Sequence, residues 1–92
     1  MRLISQDGTM DVPYEMCALS IGTTANKTNI YVRSKLFDEK PCLFGVYSEE
    51  RKALKAMEEL RKTYSKIPNN SVEDWYFEDL VFRFPKDKDI EV

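Results

Sequence analysis

The sequence predicts a single small α+β domain, residues 1–92, in which one long amphipathic helix packs on an antiparallel sheet of about five strands in the order ββββαβ. Three observations carry this expectation. The stretch from Ser48 to Lys66 keeps helical periodicity along its whole length. Four short β-type runs separated by turn signals precede it. One strongly alternating run, Leu80 to Phe84, follows it.

Ser48 stands where a side-chain oxygen caps a helix, and Glu49 and Glu50 suit the positive end of the helix dipole. Arg51 occupies the position where a capping box needs Glu or Gln. Ala53, Leu54, Met57, Leu60 and Tyr64 recur at steps of three and four and trace one apolar face. Arg51, Lys52, Lys55, Glu58, Glu59 and Lys62 cover the opposite face. There Lys55–Glu59 and Glu58–Lys62 are spaced for ion pairs of about 0.2–0.5 kcal/mol each. Pro68, followed by Asn69 and Asn70, stops the helix.

Before the helix, Arg2–Ser5 reads as a strand and Gln6–Thr9 as a turn centred on Asp7-Gly8. Asp11–Glu15 contains Pro13, which cannot donate to a ladder, so it reads as an edge or a bend. Met16–Ile21 reads as a strand, residues 22–27 as a polar hairpin loop, and Thr28–Arg33 as its β-branched partner strand. Ser34–Pro41 is a charged turn carrying Leu36 and Phe37. Cys42–Tyr47 is apolar on both faces and reads as a central strand, with Gly45 marking a bulge or close helix–sheet packing. After the helix, Ser71–Tyr76 suits one helical turn. Leu80, Phe82 and Phe84 then form the buried face of a last strand, and Pro85 ends it. Lys86–Val92 reads as a charged, frayed tail.

Composition narrows the function classes. An apolar share of 42% and an aromatic share of 12% support a packed core over disorder. With 14 basic and 16 acidic residues, net charge −2, no electrostatic signal for nucleic acid is present. No apolar run has the length of a membrane span, and the opening residues lack the apolar core of a signal peptide, so the expected setting is cytoplasmic. Cys17 and Cys42 lie outside any CxxC spacing and read as half-buried apolar strand residues. Histidine is absent, which removes the commonest general base and metal ligand. No metal or cofactor is expected, and an enzyme is the least favoured class. Its best form is a metal-dependent nuclease built on Asp7, Asp11 and Glu15, which are spaced by four in a non-helical region.

Three blocks carry a resemblance: MRLISQDGTMDVPYE, VYSEERKALKAMEELRKTY and VFRFPKDKDIEV, together about half of the chain. They resemble a family of small uncharacterised proteins encoded by phages and prophages of Firmicutes, notably gut Clostridia. Within that family the segment matching Ile67–Asp79 varies most. The resemblance implies an intracellular accessory protein of phage origin. By analogy with other small phage accessory proteins, it implies counter-defence by binding: inhibiting a host defence protein or sequestering a small nucleotide signal.

Three places in the sequence suit a binding role. Tyr14, beside rigid Pro13, can anchor an interface or form a packed corner. Arg33 and Arg83, both in strands, would grip phosphates if they shared a face, with Tyr31 supplying a ring beside them. Trp75, Tyr76 and Phe77 form an aromatic run flanked by Glu73, Asp74, Glu78 and Asp79, a composition that suits a basic protein groove. A homo-oligomer without other ligand is the alternative, joined through the sheet edge near Pro13 or through the aromatic run.

Overall fold

A computed structural model describes residues 1–66 and 80–92. The architecture is α+β, but its strands form two three-stranded sheets where the sequence predicted one sheet of about five strands. The first sheet joins β1 (Arg2–Ile4), β2 (Asp11–Pro13) and β6 (Val81–Arg83) in the order β2-β1-β6. The second joins β3 (Cys17–Thr24), β4 (Lys27–Ser34) and β5 (Cys42–Tyr47) in the order β3-β4-β5. A purely antiparallel arrangement is also corrected. The closing strand β6 runs parallel to β1, with Leu3 opposite Phe82.

The second sheet follows from local rules. β3 and β4 pair antiparallel from Cys17↔Ser34 to Thr24↔Lys27. The expected six-residue loop is in fact a two-residue turn, Ala25-Asn26, with φ of 46° and 70°. Positive φ at both positions is the geometry whose twist matches a tight hairpin. Asn tolerates that region well, whereas Ala25 is strained there. Inward positions of β4 are buried: Thr28, Ile30, Val32 and Ser34. Between Ile30↔Gly45 and Tyr31↔Leu43 the β4–β5 register slips by one residue, leaving Phe44 as the bulged residue. Gly45 is tight as well as next to the bulge, since a Cβ there would lie 3.0 Å from Cε2 of buried Tyr47.

The helix, α1 (Glu50–Ser65), packs on the inner face of β4 and β5. Its buried residues are Ala53, Ala56 and Leu60, and the small alanines permit close approach to the sheet. The apolar stripe is therefore rotated from the expected one: Leu54 is 49% exposed, and Ala56 takes an inward position instead. Lys62 and Glu58 form the expected ion pair at 2.9 Å, whereas no Lys55–Glu59 pair forms among the described residues. Ser48 is not the cap, a further correction. Glu49 holds that position without a side-chain bond, and Ser48 instead donates its N–H and its hydroxyl to Asp87 Oδ1 at 2.9 and 3.1 Å.

That contact also corrects the frayed tail. Asp87–Asp89 forms a 3₁₀ turn, Lys52 Nζ donates to the Asp87 carbonyl at 2.9 Å, and Ile90 is buried in the core. Ser48 and Lys52 together hold the Asp87 carboxyl below its ordinary range. The sheets are joined between β6 and β5. Phe84 packs edge-on against Phe44 at 6.3 Å and against Phe82 at 5.5 Å. Gln6 donates its backbone N–H to the Phe44 carbonyl at 2.7 Å, and its side chain bonds both main-chain groups of Val46. Tyr47 donates its hydroxyl to the Pro85 carbonyl at 2.7 Å, and burial pushes its pKa up.

Candidate binding face

The inner face of the second sheet is taken by the helix, so its outer face decides what the chain can present. Strand alternation puts Ala18, Ser20 and Gly22 of β3, Tyr31 and Arg33 of β4, and Leu43 of β5 on that outer side. Ser20, Tyr31 and Leu43 form one cross-strand row. Leu43 is 45% exposed there.

Tyr31 is held in place. Its ring lies over Gly22, where an added Cβ would come within 3.1 Å of Cε2. Its hydroxyl accepts from Asn29 Nδ2 at 3.0 Å, and the same amide reaches Thr24 Oγ1. Glycine at position 22 lets the ring lie close across β3, and any larger residue would push the ring outward by a few tenths of an ångström. Arg33, two residues on and exposed, makes no ion pair among the described residues. It borders an open groove of about 600 Å³ at the ends of β3 and β4. Lys35, Glu15, Glu39, Met16 and Cys17 also line that groove. Burial pushes the Cys17 thiol up, and both cysteines are free and half-buried, as expected.

The other sequence-derived candidates do not join this face. Arg83 lies in the first sheet, so the pair Arg33/Arg83 shares no face. Its guanidinium donates to the Gln6 carbonyl at 3.1 Å and rests against Gly8, whose φ is 78°. Arg83 thus braces the first turn. Tyr14 sits in a 3₁₀ turn, Tyr14–Met16, and packs edge-on against Tyr64 of the helix at 4.8 Å. That is the packed-corner role. Trp75, Tyr76, Phe77 and the helical turn expected at Ser71–Tyr76 lie outside the described residues.

The three carboxylates of the nuclease alternative are each engaged elsewhere. Asp7 accepts from Ser5 Oγ at 2.7 Å and from the Thr9 N–H and hydroxyl at 3.0 and 2.7 Å. Asp11 pairs with Arg2, whose Nε lies 3.1 Å from Oδ2. Glu15 accepts from the Met1 ammonium at 2.9 Å. No group of three or more possible metal ligands converges among the described residues.

The hydrogen bonds at Asp7 have a pH consequence. They hold its carboxyl at about 2, below the ordinary 3.8. A depressed folded-state pKa contributes stability above the unfolded value and loses it as pH falls through the folded value. The stability gap between wild type and Asp7→Ala should therefore be widest above pH 4 and close towards pH 2. Thermal melts of both proteins from pH 6 to about 2 check this. A gap independent of pH would mean that the charge plays no part.

Sequence reasoning missed Leu43, Lys35, Glu39 and the support that Asn29 gives Tyr31. Only Leu43 left a trace, and the bulge at Phe44 disguised its face. No described helix is long and apolar enough to cross a membrane. Comparison with protein-family models, with curated proteins and with solved structures returned no match to this chain.

Proposed function

We propose that this chain is a phage-derived accessory protein of the bacterial cytoplasm, acting in counter-defence by occupying the surface of a host defence protein. The contact surface is the outer face of the second sheet. The observation that carries this reading is the Tyr31 ring, pinned over Gly22 and bonded by Asn29, beside Arg33, which makes no ion pair among the described residues, on a face that no other described element covers. Tyrosine and arginine dominate binding energy at protein interfaces, and a ring fixed beforehand loses little freedom on binding. Leu43 extends the apolar part of the patch, and the groove beside Arg33 carries both signs of charge, which suits a mixed protein surface.

Sequestration of a small nucleotide is the second reading. It is favoured by the groove of about 600 Å³ with Arg33 and Lys35 on its wall, a size in the range of small-molecule sites. It is weakened by Glu15 and Glu39 in the same groove and by the commitment of Arg83 to the Gln6 turn.

Native mass spectrometry of the protein isolated from its producing cell separates the two. A bound mass of protein size in the wild type, lost in Tyr31→Ala and Arg33→Ala, is the expected result. A bound mass of about a few hundred daltons would favour the nucleotide. Bare protein, or binding that survives both substitutions, would contradict both readings.

A further inference from the structure

Among the described residues β3 is the long free edge of the second sheet, and its exposure contrasts with how the other edges are treated. The β5 edge is closed by Gln6, which bonds the Phe44 carbonyl and both main-chain groups of Val46. The β2 edge is three residues long and ends at Pro13, and β6 is also three residues long. Such features are how folded proteins keep sheet edges from pairing with other chains. β3 has none of them. It runs eight residues, Cys17–Thr24, as CALSIGTT, with no proline, and its register with β4 is unbroken. It carries no charge in a chain that is 33% charged.

We infer that β3 pairs antiparallel with β3 of a second copy, about a two-fold axis at Ser20. The register with β4 fixes which groups are available. In a two-residue hairpin the residues flanking the turn bond each other, so Thr24, Gly22, Ser20 and Ala18 direct their main-chain groups to β4. The alternate residues Leu19 and Ile21 direct theirs outward. A two-fold axis at Ser20 sets Leu19 opposite Ile21 of the second copy, and their N–H and C=O groups satisfy each other reciprocally. It also sets these half-buried apolar side chains together along the inner face, where each already packs on its own core. On the outer face Ala18 meets Gly22 and Ser20 meets Ser20, all small, and no like charges oppose one another. The result is one continuous sheet of twice the width. A single row, Leu43–Tyr31–Ser20, continues across the axis into its symmetry copy. This goes beyond the proposed host contact, which it would present in duplicate, and holds independently of it.

Ser20→Lys tests the pairing. The position is exposed in a single chain, and two lysines would face each other at the axis. Sedimentation across the micromolar range should show a wild-type dimer and a Ser20→Lys monomer of unchanged circular dichroism. Ser20→Cys, in a chain also carrying Cys17→Ser and Cys42→Ser, supplies a second readout. Ser20 would form a non-hydrogen-bonded pair with its own copy, with Cα atoms about 4.5 Å apart, within disulfide range. Mild oxidation should give a covalent dimer, whereas Ala18→Cys in the same background should not, because Ala18 faces Gly22. A monomeric wild type overturns the inference, whatever else occupies the β3 edge. So does a dimer that withstands Ser20→Lys and yields no Ser20→Cys cross-link.

Discussion

Phe84→Ala should lower the unfolding free energy by about 3–5 kcal/mol, the range for removing a fully buried phenylalanine. Phe84 has no exposed surface. Its N–H donates to the Ile4 carbonyl at 3.1 Å, which fixes the backbone against β1. Its ring then meets Phe44 of the other sheet edge-on. Truncation would remove the apolar contact between the sheets and leave a void lined by Phe44 and Phe82, which are anchored on separate strands and so collapse poorly. Folded domains have only about 5–15 kcal/mol in hand, so this loss is a large fraction of the whole. Urea titration measures it. Val81→Ala in β6, the strand that ends just before Phe84, should change stability by less than about 0.5 kcal/mol, since Val81 is 50% exposed. Equal losses at the two positions would refute the claim that Phe84 joins the sheets.

Gln6→Ala should cost about 2–3 kcal/mol, although it removes no apolar contact of note. The Gln6 amide donates to Val46 O and Pro85 O, each at 3.1 Å, and accepts from Val46 N at 3.0 Å. Losing it strands a donor and weakens the hold on two carbonyls, and unmade half-buried hydrogen bonds cost about 1–3 kcal/mol. Tyr47→Phe should cost less, about 1 kcal/mol, because Gln6 still bonds Pro85 O after the hydroxyl is gone. Gln6→Ala also opens the β5 edge, so the variant should self-associate more readily on warming. Urea titration and light scattering read the two effects. A Gln6→Ala protein no less stable than Tyr47→Phe would contradict the role given to the Gln6 amide in holding Val46 and Pro85 together.

What could be read from the sequence was what local pattern encodes. The helix was legible because its apolar residues recur at steps of three and four, although the stripe that is buried turns out rotated past Leu54. β4 and the inward side of Phe82 and Phe84 were legible from alternation, whereas Leu80, expected on the same buried side, precedes β6 and is 39% exposed. The division into two sheets was not. β1 pairs in parallel with β6, and no local signal at Leu3 specifies Phe82 as its neighbour. The bulge at Phe44 puts Phe44 and Gly45 both inward, which breaks the period-two reading of CLFGVY and hides Leu43 on the outer face. Ser48 looked like a cap because its competing partner, Asp87, comes from a distant segment. At the candidate site, Tyr31 and Arg33 were expected in one strand, and both lie on β4. The separation from Arg83 depended on the sheet division, and so it was out of reach of local pattern.

On the proposed function, the outer face of the β3–β4–β5 sheet is the surface that meets the partner. Hydroxyl-radical footprinting of the complex isolated from the producing cell, compared with the free chain, tests it most directly. Protection should fall on Tyr31, Leu43 and Met16, while Leu54, exposed on the opposite side of the fold, stays reactive. Protection of Leu54 with Tyr31 and Leu43 unchanged would place the contact on the helix and contradict the account.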